Sequence, residues 1–191
     1  MSFGRIAIIP IEDPIGGIYL PFLGDVRERN LSRIEKCLEQ AKKSKRIKAV
    51  ILKINSPGGK AYSCKRLVER VKEIKKFTVA QIEEIGTSGA YWIASWCDAI
   101  LADEPSLVGG VGAISIKLDL SEFMRKIGIN FSSITSGKYK ELVSPFRKST
   151  EEERKIRENQ LRLVSQVFIQ DIKKRRKLKR EEDVLQGRIY R

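Results

Sequence analysis

The chain has 191 residues, enough for one domain with a sizeable core, and 41% of them are hydrophobic, which places it among globular proteins rather than disordered or fibrous ones. A formal charge of +14 and a pI near 9.8 suit an anionic partner, yet do not choose between nucleic acid and an acidic membrane surface. There is no histidine, which excludes Ser-His-Asp and Cys-His machinery and the His-containing zinc sites. Cys37, Cys64 and Cys97 lie far apart and form no CxxC pair, so they predict neither a disulfide framework nor a metal centre and are expected to be reduced and mostly buried. Abundant Lys, Arg, Glu and Ile with little Met resembles a heat-adapted composition.

In chain order, Arg5 to Ile11 is an apolar run of strand length, broken by Pro14, Gly16 and Gly17. Glu12 and Asp13 interrupt it far short of the roughly 20 apolar residues of a membrane span, so no span or signal peptide is predicted and the chain as given is expected to be soluble. From Arg27 to Lys45 the positions Leu31, Ile34, Leu38 and Ala41 recur at helical spacing. Ile47 to Ile54 reads as a strand that stops at Asn55-Ser56-Pro57-Gly58-Gly59, where paired glycines give either a plain turn or a backbone that approaches a ligand closely. Ala61 to Lys76 reads as a helix and Phe77 to Ile85 as the next strand. After Ser88 a helix apolar nearly all round is expected to be buried. Strands are predicted at Ala99–Ala102, at Ala113–Ile116 and at Ile129–Ile134, with a short helix from Ser121 to Ile127 between the last two. The alternation of strands and helices implies right-handed crossovers and a largely parallel sheet. Thr150 with Glu153 has capping-box spacing and opens a helix expected to bury Ile156, Leu161, Val164, Val167, Phe168 and Ile172. That helix ends in the basic run Lys173 to Arg180, either a solvated helix end or a patch for phosphate or anionic lipid. Little aromatic interleaving supports nucleic-acid stacking, and no nucleic-acid partner is expected.

Ser88 sits between Thr87 and Gly89 at a strand-to-helix turn. Such a turn can expose a serine hydroxyl beside backbone N–H groups that lack partners inside the helix, which is how a nucleophile is presented. Serine is also a common helix N-cap, and on the octapeptide Glu84–Tyr91 alone the cap is the better reading. If Ser88 is a nucleophile its base must be something other than histidine, and a desolvated lysine is the natural choice.

Taken together, Ile54-Asn55-Ser56-Pro57-Gly58-Gly59, Thr87-Ser88-Gly89-Ala90-Tyr91, Ser136-Gly137-Lys138-Tyr139-Lys140-Glu141 and Ser144-Pro145 resemble the signal peptide peptidase A family of the ClpP/crotonase superfamily. The resemblance extends to Gln186-Gly187-Arg188-Ile189-Tyr190 and so covers nearly the whole chain as a single peptidase domain, 1–191, trimmed at its C-terminal end. It implies an α/β fold: a ClpP/crotonase-like spiral of β-α-β units, with a mostly parallel sheet flanked by helices. It implies a serine endopeptidase with Ser88 as nucleophile, a largely buried Lys140 as general base, and Gly59 and Gly89 as oxyanion-hole donors, using no cofactor or metal. Apolar peptide substrates such as signal-peptide remnants, a homo-oligomeric ring and a membrane-associated setting are implied in the same way, although the family's N-terminal anchor is not visible here. Where the family often has a serine that orients the lysine, this chain has Val108-Gly109-Gly110-Val111-Gly112, with Gly110 at the matching place, which leaves that lysine's partner open. Lys138 rivals Lys140, because in an extended segment the two would point the same way. Two other readings stand beside the peptidase: a crotonase-type enzyme acting on an acyl-CoA thioester, and a non-catalytic basic interaction module.

Overall fold

The structure, a computed structural model, describes residues 4–20, 24–26, 29–179 and 181–191, with side chains described for all of these except 18–20, 24–26 and 29–30. The predicted start of the first helix at Arg27 and the end of the basic run at Arg180 fall outside the described residues. The chain divides into two compact units, one formed by 1–112 with 165–191 and one formed by 113–164.

The first unit is built on a sheet that has six strands among the described residues. β1 (Arg5–Glu12), β4 (Ile47–Ser56) and β5 (Phe77–Thr87) run parallel side by side. β2 (Ile18–Leu20) and β3 (Gly24–Val26) form a separate antiparallel pair. Parallel strands need crossovers, supplied here by α1 (Arg29–Lys43) and α2 (Ala61–Lys72). α2 is shorter than the sequence predicts: it stops at Lys72, and Ile74 is still buried in the turn that follows. On β4 every second residue from Val50 to Ser56 is buried, the period expected of a strand with one face on the core. Leu31, Ile34, Leu38, Leu67, Val68 and Val71 of the helices meet that face.

Two irregularities shape the end of β5. Between the pairs Ile54↔Ile82 and Ser56↔Gly86 its register with β4 slips, as at a bulge. At the same place β5 changes its second neighbour: Val79–Ile82 pair with β6 (Ala99–Ala102), whereas Ile85–Thr87 pair with β7 (Leu107–Gly109). β7 in turn pairs antiparallel with β8 (Ile189–Tyr190). The strand β7 is absent from the sequence reading, since three residues among glycines carry no periodicity. α3 (Gly89–Ser95) follows β5 and is buried as expected, with Ala90, Trp92, Ile93 and Ala94 all in the core.

In the second unit the sequence reading needs correction. Neither 113–116 nor 129–134 forms a strand; both are extended or irregular, on either side of α4 (Ser121–Lys126). Ile114 and Ile116 are 81% and 83% exposed and Ile134 is fully exposed. Alternating apolar residues become a strand only where another strand is available to pair with them, and neither segment has such a neighbour within this unit. α5 (Glu151–Arg175) begins as predicted: the Thr150 N–H donates to Glu153 at 2.9 Å, and the Glu153 N–H donates to Thr150 Oγ1 at 3.2 Å. Its apolar positions differ from the prediction, because Phe168 and Ile172 are buried whereas Val164 and Val167 are exposed.

Asp171 on α5 is buried and ties its helix to two others, α2 and α3. Its carboxylate accepts from Lys65 Nζ at 2.5 Å and from Trp92 Nε1 at 3.2 Å, with Lys72 Nζ at 3.6 Å, and Trp92 stacks on Phe168 at 4.6 Å. Burial pushes the Asp171 carboxyl up, but the Lys65 hydrogen bond, with the charges of Lys65 and Lys72, outweighs it and holds the group below its usual range. A depressed folded pKa contributes stability that is present above the unfolded value near 3.9 and is lost as pH falls. Asp171→Asn removes the charge that Lys65 and Lys72 share but leaves both paired with Glu69, at 2.7 Å and 2.8 Å; a loss of about 2 kcal/mol, seen as a fall of roughly 4–8 °C in Tm by circular dichroism at pH 7, is expected. The difference between variant and parent should narrow in acid.

The basic run is mostly engaged within the fold. Arg175 pairs with Asp98 at 2.6 Å, Lys173 pairs with Glu181 of α6 (Glu181–Leu185), and Arg176 donates to the carbonyls of Ser95 and Cys97, which satisfies the open end of α3. Among the described residues Lys177 and Lys179 have no ion-pair partner. No helix of the described residues is long and apolar enough to cross a membrane.

Candidate active site

Ser88 occupies the single residue between β5 and α3 with φ 54° and ψ −126°, a left-handed conformation that non-glycine residues rarely adopt. Two hydrogen bonds over-determine it: the Ser88 N–H donates to the Gly109 carbonyl at 2.8 Å, and its carbonyl accepts from the Trp92 N–H at 3.0 Å. The Ser88 side chain makes no capping hydrogen bond to α3. Among the described residues its hydroxyl has no partner at all, although the residue is half-buried. Ser88 thus holds the N-cap position that the octapeptide favours, but its side chain does not cap the helix.

The two predicted oxyanion donors lie together beside it. A methyl group built on Gly89 would sit 3.6 Å from the Gly59 nitrogen and 2.2 Å from Cys64 Sγ, so α3 enters the site at a position only glycine can occupy. Gly58, with φ 98°, is hemmed in by backbone rather than by a flexible side chain: an added Cβ would fall 2.7 Å from the Gly89 nitrogen and 2.9 Å from the Ser88 Cβ. Gly58, which the predicted donor set leaves out, is made equally specific by its positive φ and its contact with the turn. Gly110 flanks the other side, with φ 65°, and an added Cβ there would lie 3.4 Å from the Ser88 nitrogen in ordinary contact. Its N–H donates to the Arg188 carbonyl at 2.8 Å.

Cys64 lies directly behind Gly89 but offers no second nucleophile, since burial pushes its thiol up to about 12. Cys97 is likewise pushed up to about 12 by burial, and Cys37 is half-buried, so all three cysteines are free thiols as expected. Among the described residues no group of histidine, cysteine or carboxylate side chains has the arrangement of a metal site.

The lysine loop belongs to the second unit. There Lys140 is exposed, not buried as the sequence reading expects, because 137–143 forms successive surface turns, with the Lys140 N–H donating to the Gly137 carbonyl at 3.1 Å. Lys138 and Lys140 differ sharply in their surroundings. Lys138 Nζ pairs with Glu152 at 2.5 Å and lies over the Tyr139 ring, and the Glu152 hydrogen bond raises its pKa. Among the described residues Lys140 has no ion-pair partner. A base must be able to shed its proton, and the Glu152 carboxylate opposes that at Lys138. Glu141, the next residue of the motif, is held by Arg147, which also clamps Glu153; that clamp, with the Thr150 N–H, draws the Glu153 carboxyl down to about 2.

Comparison with known proteins agrees with this fold. The solved structure of a membrane-bound stomatin-specific protease in complex with a substrate peptide matches 62% of this chain and 50% of its own, with a TM-score of 0.50 at 15% identity, a level that shows the fold alone: ClpP/crotonase-like α/β. In sequence, the chain is 33% identical over 160 residues to a candidate protease of Methanocaldococcus jannaschii, covering 80% of this chain and 50% of that protein. It is 30% identical over 162 residues to the chloroplastic serine protease SPPA of Arabidopsis thaliana, covering 82% of this chain and 24% of that one. The chain thus spans half or less of the length of these relatives. The model of peptidase family S49 matches residues 70–190, a stretch that includes both Ser88 and Lys140. The chain belongs to peptidase family S49.

Proposed function

We propose that residues 1–191 act as one serine peptidase domain that hydrolyses apolar peptide segments, of the kind left by cleaved signal sequences, through a Ser88–Lys140 dyad. The observation that carries this reading is Ser88 itself: a strained, half-buried serine with an unpartnered hydroxyl, set beside the glycines at 58, 59 and 89 in a chain with no histidine. Lys140, as the neutral amine, takes the Ser88 proton while Oγ attacks the scissile carbonyl. The N–H groups of Gly59 and Gly89 receive the oxyanion, each donor contributing about 3 kcal/mol of barrier lowering. Collapse of the tetrahedral intermediate expels the amine, which takes up the proton from Lys140. A water deprotonated by Lys140 then attacks the acyl-Ser88 ester, the acyl–Oγ bond breaks, and Lys140 returns the proton to Ser88 Oγ as the acid product leaves.

Lys140 is exposed in the single chain, and the dyad requires it to be desolvated. Association of copies would supply the cover, and the second unit offers exposed apolar side chains for it, among them Ile114, Ile116, Phe123, Ile134 and Val143. A ring of such copies would admit unfolded or short peptides and exclude folded proteins. Lys177 and Lys179 are available to an anionic membrane surface.

A diphenyl phosphonate carrying an apolar side chain tests the reading. One covalent adduct, located at Ser88 by peptide mass spectrometry and absent from Ser88→Ala, is expected. An adduct that persists in Ser88→Ala, or none in the parent protein, overturns the serine-peptidase reading in favour of a thioester enzyme or a non-catalytic module.

A further inference from the structure

Gly58 and Gly59 lie between two walls. On one side is the backbone of Ile15, which forms a parallel bridge with Gly59: the Ile15 N–H donates to the Gly58 carbonyl at 2.7 Å, and the Lys60 N–H donates to the Ile15 carbonyl at 2.9 Å. On the other side is the Ser88–Gly89 turn. In a planar trans peptide the carbonyl and the following N–H point in opposite directions. With the Gly58 carbonyl tied to Ile15, the Gly59 N–H is turned away from Ile15, to the side where Ser88 and Gly89 stand. The clearance is closed to any side chain, because a Cβ on Gly59 would fall 2.0 Å from the Ile15 carbonyl oxygen.

The segment that supplies Ile15 is itself strained and pinned. Asp13 has φ 62°, one of only two described non-glycine residues with positive φ, the other being Ser88. Gly16 and Gly17 follow at φ 75° and 79°, and a Cβ on Gly16 would meet Ser63 Oγ of α2 at 2.3 Å. Ser56, fully buried, ties this segment to the glycine loop: its hydroxyl donates to the Asp13 carbonyl at 2.6 Å and accepts from the Gly58 N–H at 3.2 Å. The Gly58 carbonyl at 3.4 Å is the weaker alternative for the same proton. A serine on the core face of β4 has an apolar substitute of nearly equal size in alanine, so packing alone does not account for a hydroxyl there.

The geometry points to Ser56, with the Asp13–Gly17 segment, as the positioning device that fixes the Gly58–Gly59 peptide and presents the Gly59 N–H at the Ser88 turn before substrate arrives. Ser56 touches no reacting atom and acts through Gly58. This rests on Gly59 serving as an oxyanion donor, as proposed above. An oxyanion donor acts mainly in the transition state, so loosening its support lowers kcat and leaves KM nearly unchanged.

Two measurements on Ser56→Ala and Ser56→Cys in the whole chain separate the possibilities; the cysteine variant keeps a small side chain in place but is a weak donor and acceptor. Amide exchange by NMR is expected to speed up at Gly58 and Lys60 by roughly tenfold or more, with the central amides of β4 unchanged. With a fluorogenic peptide amide bearing leucine before the cut, kcat is expected to fall roughly 10- to 100-fold with KM within about threefold. Unchanged exchange at Gly58 overturns the inference whatever the kinetics. Faster exchange with kcat intact shows that the support exists but does not position a donor, which overturns it also. Faster exchange in a protein whose parent form hydrolyses no peptide leaves the support standing and removes the peptidase reading instead.

Discussion

Ser88→Ala and Lys140→Ala should each lower kcat for peptide hydrolysis by roughly 10⁴-fold, while Lys138→Ala should stay within about threefold of the parent. The two lysines are two residues apart in one motif, and their environments separate them. Lys138 holds Glu152 in an exposed ion pair, an interaction of small energetic weight whose loss leaves the fold intact. Lys140 has no such partner among the described residues and is free to be enclosed by an oligomeric neighbour or by substrate. Lys140→Arg should be as inactive as Lys140→Ala, because a guanidinium keeps its proton and cannot act as a base. Steady-state kinetics on one fluorogenic peptide amide, with phosphonate labelling as a second readout, checks the whole series. Full activity in Lys140→Arg would rule out a neutral-lysine mechanism, and loss of activity in Lys138→Ala alone would transfer the role to Lys138.

Gly58→Ala should cost roughly 10²- to 10³-fold in kcat, the scale of losing one oxyanion donor, and lower Tm measurably. The new methyl would lie 2.7 Å from the Gly89 nitrogen and 2.9 Å from the Thr87 carbonyl oxygen, both backbone atoms, at a φ of 98° that alanine tolerates poorly. Relief requires the nucleophile turn or the glycine loop to move, and either motion separates the donors from the hydroxyl. Gly110→Ala provides the contrast. Its φ of 65° lies in the ordinary left-handed region and its nearest neighbours would be 3.4–3.5 Å away, so strain of about 1 kcal/mol and near-parental kcat are expected. Near-parental turnover in Gly58→Ala would show that Gly59 and Gly89 do not act together as donors.

The elements with strong periodicity were legible in the sequence: β4, α1, α2 and the capping box of α5 formed within a few residues of where the pattern placed them. The failures share a cause. The apolar alternation at 113–116 and 129–134 records a capacity to pair, and pairing depends on a neighbour that periodicity cannot supply. β7 and β8, of three and two residues, are defined by their partners rather than by their own composition. At the candidate site, the glycine loop and the serine turn stood out as motifs because each needs a special backbone. Ser56 did not, since its partners are the main-chain carbonyl of Asp13 and the N–H of Gly58, groups that every residue possesses. The difference between Lys138 and Lys140 was equally hidden, because it is made by Glu152 on a later helix.

The bracing of the Ser88 turn by distant segments also bears on the order in which the molecule matures. The Ser88 turn is braced by Gly109, the glycine loop by Ile15 and, through Ser56, by Asp13, and Gly110 by Arg188, so the turn and its neighbours are held by segments far apart in sequence. Contacts between segments so distant in sequence close late, after the entropy of long loops has been spent. A partly folded chain, holding only the local helices and the β4–β5 pairing, has the serine but not the braced glycine loop beside it. On the proposed function, hydrolytic competence would be tied to completion of the topology, and a nascent copy would be unable to cut its neighbours while its own apolar segments are still exposed.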